Sequence, residues 1–156
     1  MLKKMIALVA FMPLMALSLM AQGLDTRASK DDWEEINFDF NSSVLVDGFP
    51  SLLRIAEFLQ SNAAYKVRVE GHTDAIGGKG FNEKLGLARA NTVRDFLVKY
   101  GVRANQIETV TRSFDNPRVG RGGQTYSRTD EARWMNRRVA LILTDGQGRT
   151  VSEGGA

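Results

Sequence analysis

Cysteine is absent from this 156-residue chain. That removes disulfide staples, thiolate nucleophiles, cysteine-ligated zinc and lipid attachment through a thiol. It does not identify a compartment, because an oxidising space permits disulfides without requiring them. Histidine is almost absent too, His72 being the only one. A single imidazole with scattered acids does not make a metal cluster. His72 could be cast as a base beside Asp74, but no serine sits in a nucleophile-elbow setting, so it is expected to pack or hydrogen-bond at a strand end. Charge of one sign is scarce. The formal charge is +3, yet Lys3 and Lys4 supply two of the 21 basic residues with no acid beside them, leaving 19 bases against 18 acids. Without a basic stripe interleaved with exposed aromatics, nucleic acid is not an expected partner. Arginines gather only locally, at Arg112, Arg118, Arg121, Arg128, Arg133, Arg137 and Arg138.

A long apolar run is also lacking. Met5 to Met20 is nearly all apolar but is broken by Pro13, and it falls short of the ~20 residues that a membrane-spanning helix needs. Preceded by Lys3-Lys4 and followed by the small-x-small run Ala21-Gln22-Gly23, residues 1–23 are expected to be a secretory signal peptide. An uncleaved anchor helix is the alternative. Residues 24–33 read as a linker, residues 34–144 as one domain, and residues 145–156 as a Gly-rich flexible tail.

Within the domain, two periodicities alternate. Ile36, Phe38 and Phe40 are spaced by Asn37, Asp39 and Asn41, the pattern of a half-buried strand. Leu52, Leu53, Ile55, Ala56 and Leu59 repeat at helical spacing behind Pro50. Val67 and Val69 alternate with Lys66, Arg68 and Glu70 in a second strand, and a long helix from Asn82 to Tyr100 stops at Gly101. A third strand (Ile107 to Arg112), a helix (Ser127 to Trp134) and a last strand (Arg138 to Leu143) complete the order β-α-β-α-β-α-β. Half-apolar strands predict a two-layer α/β sandwich, with helices on one face of a mixed four-stranded sheet.

The loop Gly71 to Gly80 joins a strand to a helix, where ligand sites gather in α/β proteins. It is not a nucleotide P-loop: counting back from Lys79 puts Thr73 where the first glycine belongs, and Gly80 follows the lysine. Arg89 is more informative. It lies four residues after Leu85 and four before Val93, on the expected sheet-facing stripe of its helix, and a charge turned inward needs a partner. Two readings stay open: a structural ion pair with a nearby acid such as Asp74, or a crevice shared by Asp74 and Arg89 that receives a zwitterion, ammonium on the carboxylate and carboxylate on the guanidinium fork.

Gly71-His72-Thr73-Asp74, Gly77, Asn82, Leu85, Arg89-Ala90, Val93 and Asn136-Arg137-Arg138-Val139 together resemble the OmpA-like peptidoglycan-binding family. Phe38-Asp39-Phe40-Asn41, Ser43 and Leu45 fit the same pattern. The resemblance spans about residues 34 to 144. It implies a non-enzymatic periplasmic protein, associated with the cell wall or outer membrane, without cofactor or metal. Its partner would be peptidoglycan, held through the diaminopimelate of the stem peptide, with outer-membrane or envelope-complex proteins as further partners. By that analogy Asp74 takes an ammonium, Arg89 a carboxylate, and Asn82 hydrogen-bonds the ligand. Asn41 and Arg137 match supporting positions, while Thr73 and Gly77 shape the loop. Gly86 departs from the family's usual serine and Ser113 from a common glycine. Two other functions fit parts of the pattern: the wall-binding part of an inner-membrane stator, which would keep the anchor helix, and a wall hydrolase, which would need a metal or a paired acid and base.

Overall fold

The computed structural model describes residues 36–118 and 129–154. The expected signal peptide, the expected linker and most of the basic loop 118–128 lie outside the described residues. The elements are β1 (Ile36–Asn37), α1 (Phe49–Ser61), β2 (Lys66–His72), α2 (Lys79–Lys99), β3 (Ile107–Ser113), α3 (Asp130–Asn136), β4 (Arg138–Thr144) and β5 (Thr150–Gly154), with a short 3-10 turn at Ala104–Gln106 before β3.

The helices form where the sequence supplies both a stripe and an end. Pro50 sits in the first turn of α1, where its missing N–H costs nothing, and Leu52, Ile55, Ala56 and Leu59 form its buried face. In α2 the buried line is Gly86, Arg89, Ala90, Val93 and Leu97, and the chain leaves it through Gly101 at φ +90. These two faces pack on Val67, Val69, Val139, Leu141 and Leu143 from one side of the sheet. The fold is the expected two-layer sandwich, with α1 and α2 on one face of a mixed sheet. The opposite face is polar without being bare. Glu70 is buried there because Arg68 Nε and Arg112 Nη2 both donate to its Oε1, at 2.9 and 2.7 Å.

Strand order is β1-β4-β2-β3. β2 runs parallel to β3 and antiparallel to β4. The other edge of β4 carries β1 at Arg138–Val139 and β5 at Leu141–Thr144. β5 corrects two expectations: the sheet has five strands, and the segment read as a flexible tail is hydrogen-bonded into it. Asp145 makes this possible by accepting the Gln147 and Arg149 backbone N–H groups, both at 2.9 Å, which closes the turn between the two strands.

The first strand is shorter than its alternation predicts. Phe38 is fully buried, but Phe40, expected in the core, is 59% exposed. A turn closed by the Ser42 N–H on the Asp39 carbonyl at 3.2 Å, with Asn41 at φ 51, ends the pleat and swings Phe40 outward. α3 also begins later than expected, behind a Thr129 cap whose hydroxyl accepts the Ala132 N–H at 3.2 Å.

Candidate functional site

The site forms where β2 runs into α2. The Thr73 N–H extends the ladder onto the Ser113 carbonyl at 2.8 Å. The chain then turns back, because Asp74 Oδ1 accepts the Ile76 N–H at 3.0 Å, and Gly77 takes φ +96, a conformation that favours glycine. Asn82, in the first turn of α2, ties this loop shut: its Nδ2 donates to the Ile76 carbonyl at 3.0 Å and the Gly78 carbonyl at 3.3 Å. Since both partners are acceptors, the amide orientation is fixed, and Oδ1 is the atom left over. Among the described residues that oxygen is buried without a hydrogen-bond partner, as is Thr73 Oγ1. Buried polar atoms are rarely left so in the absence of a guest or water.

Arg89 reaches this loop from the middle of α2. It is fully buried and its guanidinium is held by three backbone carbonyls: Nε to Ser42 at 2.8 Å, Nη1 to His72 at 2.8 Å and Nη2 to Asp39 at 3.0 Å. Its carbon centre lies 5.3 Å from the centroid of the Phe38 ring. Burial pulls its pKa down to about 10, with Asp74 opposing and Arg137 adding to the fall, so it stays charged at neutral pH. The ion pair between Asp74 and Arg89 that the spacing allowed does not form. Asp74 Oδ2 is instead engaged by Arg137 Nη1 at 3.2 Å, while Arg137 Nε donates to the Phe38 carbonyl at 3.0 Å.

All seven residues singled out from the sequence (Asn41, Thr73, Asp74, Gly77, Asn82, Arg89 and Arg137) line one open crevice of about 160 Å³. Its remaining walls are Phe40, Ile76, Phe81 and Leu85, which sequence reasoning did not assign to the site. Phe81 is 51% exposed, and an aromatic lying off the buried stripe of α2 was the available signal. The crevice therefore combines a buried cation, a buried carboxylate and two partnerless polar atoms with a half-open apolar rim. Among the described residues no three His, Cys, Asp or Glu side chains converge as a metal site would require. His72 lies 3.9 Å from Glu70, on the polar face of the sheet, and does not line the crevice.

Comparison with known proteins places this geometry. The OmpA family profile matches residues 37–136. Outer membrane protein Omp38 of Acinetobacter baumannii is 37% identical over 119 residues, covering 75% of this chain and 32% of that protein; the chain thus spans about a third of that relative. The peptidoglycan-associated lipoprotein of Brucella melitensis is 31% identical over 133 residues, covering 81% of this chain and 75% of the relative. Among solved structures, the peptidoglycan-associated lipoprotein from Burkholderia pseudomallei superposes with a TM-score of 0.67 at 29% identity, covering 78% of this chain and 98% of that one. A profile that matches most of the chain, relatives above 30% identity and the shared fold agree: the chain belongs to the OmpA family.

Proposed function

We propose that this protein binds peptidoglycan without cleaving it and tethers envelope components to the cell wall from the periplasm. Its crevice takes the free end of a diaminopimelate side chain in the stem peptide. Arg89 receives the carboxylate, having spent three of its five N–H donors on carbonyls. Asn82 Oδ1 and Asp74 receive the ammonium. The methylene chain lies against Phe81, Ile76 and Leu85. The observation that carries this reading is a fully buried guanidinium lining an open crevice with partnerless acceptors beside it. Two relatives named for peptidoglycan association support the wall as partner. Nothing beyond the shared third of Omp38 is carried over from that relative.

The test is co-sedimentation with isolated wall sacculi. Asp74→Asn is expected to weaken binding ~10–100-fold, the loss that goes with one charge-assisted hydrogen bond. Binding that survives unchanged defeats the site assignment, and soluble muropeptides released by the wild-type chain overturn the non-enzymatic reading.

A further inference from the structure

The charge balance of the crevice narrows the guest further, on the reading that the site binds a wall peptide. Asp74 enters binding already paired: Oδ2 faces Arg137 at 3.2 Å and Oδ1 accepts the Ile76 N–H at 3.0 Å. That pair is neutral as a unit. Arg89 donates to backbone carbonyls, and no carboxylate lies within ion-pair distance of it among the described residues. The first turn of α2, which supplies Asn82, contains no acid, so the helix N-terminus adds positive potential at the same end. The crevice therefore carries one uncompensated positive charge, and a guest end with one ammonium and one carboxylate leaves it uncompensated.

We propose that the crevice selects a guest with two free carboxylates against one ammonium. In stem-peptide terms this is a chain trimmed to end at its diamino acid, preferred over one whose second carboxylate is locked in an amide or a further peptide bond. The second carboxylate has a receiver. Arg137 lines the crevice and, among the described residues, donates through Nε and Nη1, which leaves Nη2 to donate to a guest. Arg137 is then a specificity residue with two tasks, holding the Asp74 carboxylate in place and meeting the second carboxylate at the lip.

Calorimetric titration of the full chain at low salt decides this, using a stem tripeptide ending in diaminopimelate and the same tripeptide amidated at its terminal carboxylate. Amidation is expected to weaken binding ~5–20-fold in the wild-type chain and less than ~2-fold in Arg137→Gln, as a coupled pair requires. Arg137→Lys, which keeps the charge, is expected to retain the preference for the acid. It serves as the readout if Arg137→Gln does not fold. Equal affinity of the wild-type chain for acid and amide, with both lost in Asp74→Asn, overturns this inference and leaves the wall-binding reading standing. Failure to bind either tripeptide, with sacculus binding indifferent to Asp74→Asn, takes down both.

Discussion

Arg89 serves the fold and the crevice with a single guanidinium. Its bonds to Asp39 and Ser42 pin the loop after β1, and its bond to His72 fastens the end of β2. Arg89→Ala strips three buried carbonyls of their donor and opens a hole in the core, so it is expected to destabilise the chain by about 3 kcal/mol or more, measured by denaturant melts. Loss of binding in that variant is therefore not diagnostic by itself. Thr73→Val separates the two roles. The hydroxyl is buried and partnerless, so an isosteric apolar replacement should leave the free protein equally stable or up to about 1 kcal/mol more stable, yet weaken wall binding. A variant that loses stability would show that the hydroxyl serves the fold instead. His72 gives a pH-dependent test. Burial first, then the nearby Arg138 and Arg112, lower its pKa to about 4 from an ordinary 6.5, with Glu70 opposing. A depressed imidazole favours the neutral form when folded. Its contribution is thus complete above about pH 6.5 and is lost as pH falls towards 4. Over that interval the wild-type chain should lose about 2–3 kcal/mol more than His72→Gln. That Arg89 turns inward and that Asp74 stands at a strand end was legible in the sequence, from helical spacing and from the loop after β2. Their partners were not, because those partners are carbonyls and an arginine brought together from elements far apart in the chain.

Two glycines set the spacing between elements. A Cβ built on Gly71 would overlap the carbonyl oxygen of Gly86, and one on Gly86 would strike Thr111 and the Gly71 carbonyl. α2 therefore lies directly on β2 at the point where both lead into the crevice. Gly71→Ala must push the helix outward and is expected to cost about 2–3 kcal/mol, with a matching loss of wall affinity as Asn82 and Arg89 shift. Unchanged stability and binding would mean that the contact yields easily. The same contact explains why a glycine at position 86 suits this chain. That reason lies in a distance between two elements, which no local pattern encodes. β5 is the opposite case. Asp145-Gly146 followed by Gly148 was a readable turn signal, but Thr150, Val151 and Ser152 are too short a run to declare a strand without its partner. Phe40 failed for another reason: alternation persisted in the sequence past the residue at which the turn at Asp39–Ser42 ends the pleat.

At the scale of the molecule, period-2 and period-3.6 patterns gave the element order and the two-layer arrangement, because each element buries one face and each face has its own rhythm. Sheet order escaped that reading, since β4 joins between β1 and β2 through long-range pairing alone. The same division holds for function. Seven residues scattered from Asn41 to Arg137 converge on one crevice, yet the pairing of Asp74 with Arg137 and the resulting positive crevice arise from contacts between elements far apart in the chain. The central claim is that this crevice receives both charges of a diaminopimelate end. The most direct measurement is a nuclear magnetic resonance titration of the chain with free diaminopimelate, using as control a lysine blocked at both α-groups (Nα-acetyl-lysine amide), which offers an ammonium without a carboxylate. The account predicts saturable shifts confined to Thr73, Asp74, Ile76, Gly77, Asn82 and the Arg89 side chain, with the blocked lysine far weaker. Shifts elsewhere on the surface, none at all, or an equal response to the blocked lysine would contradict it.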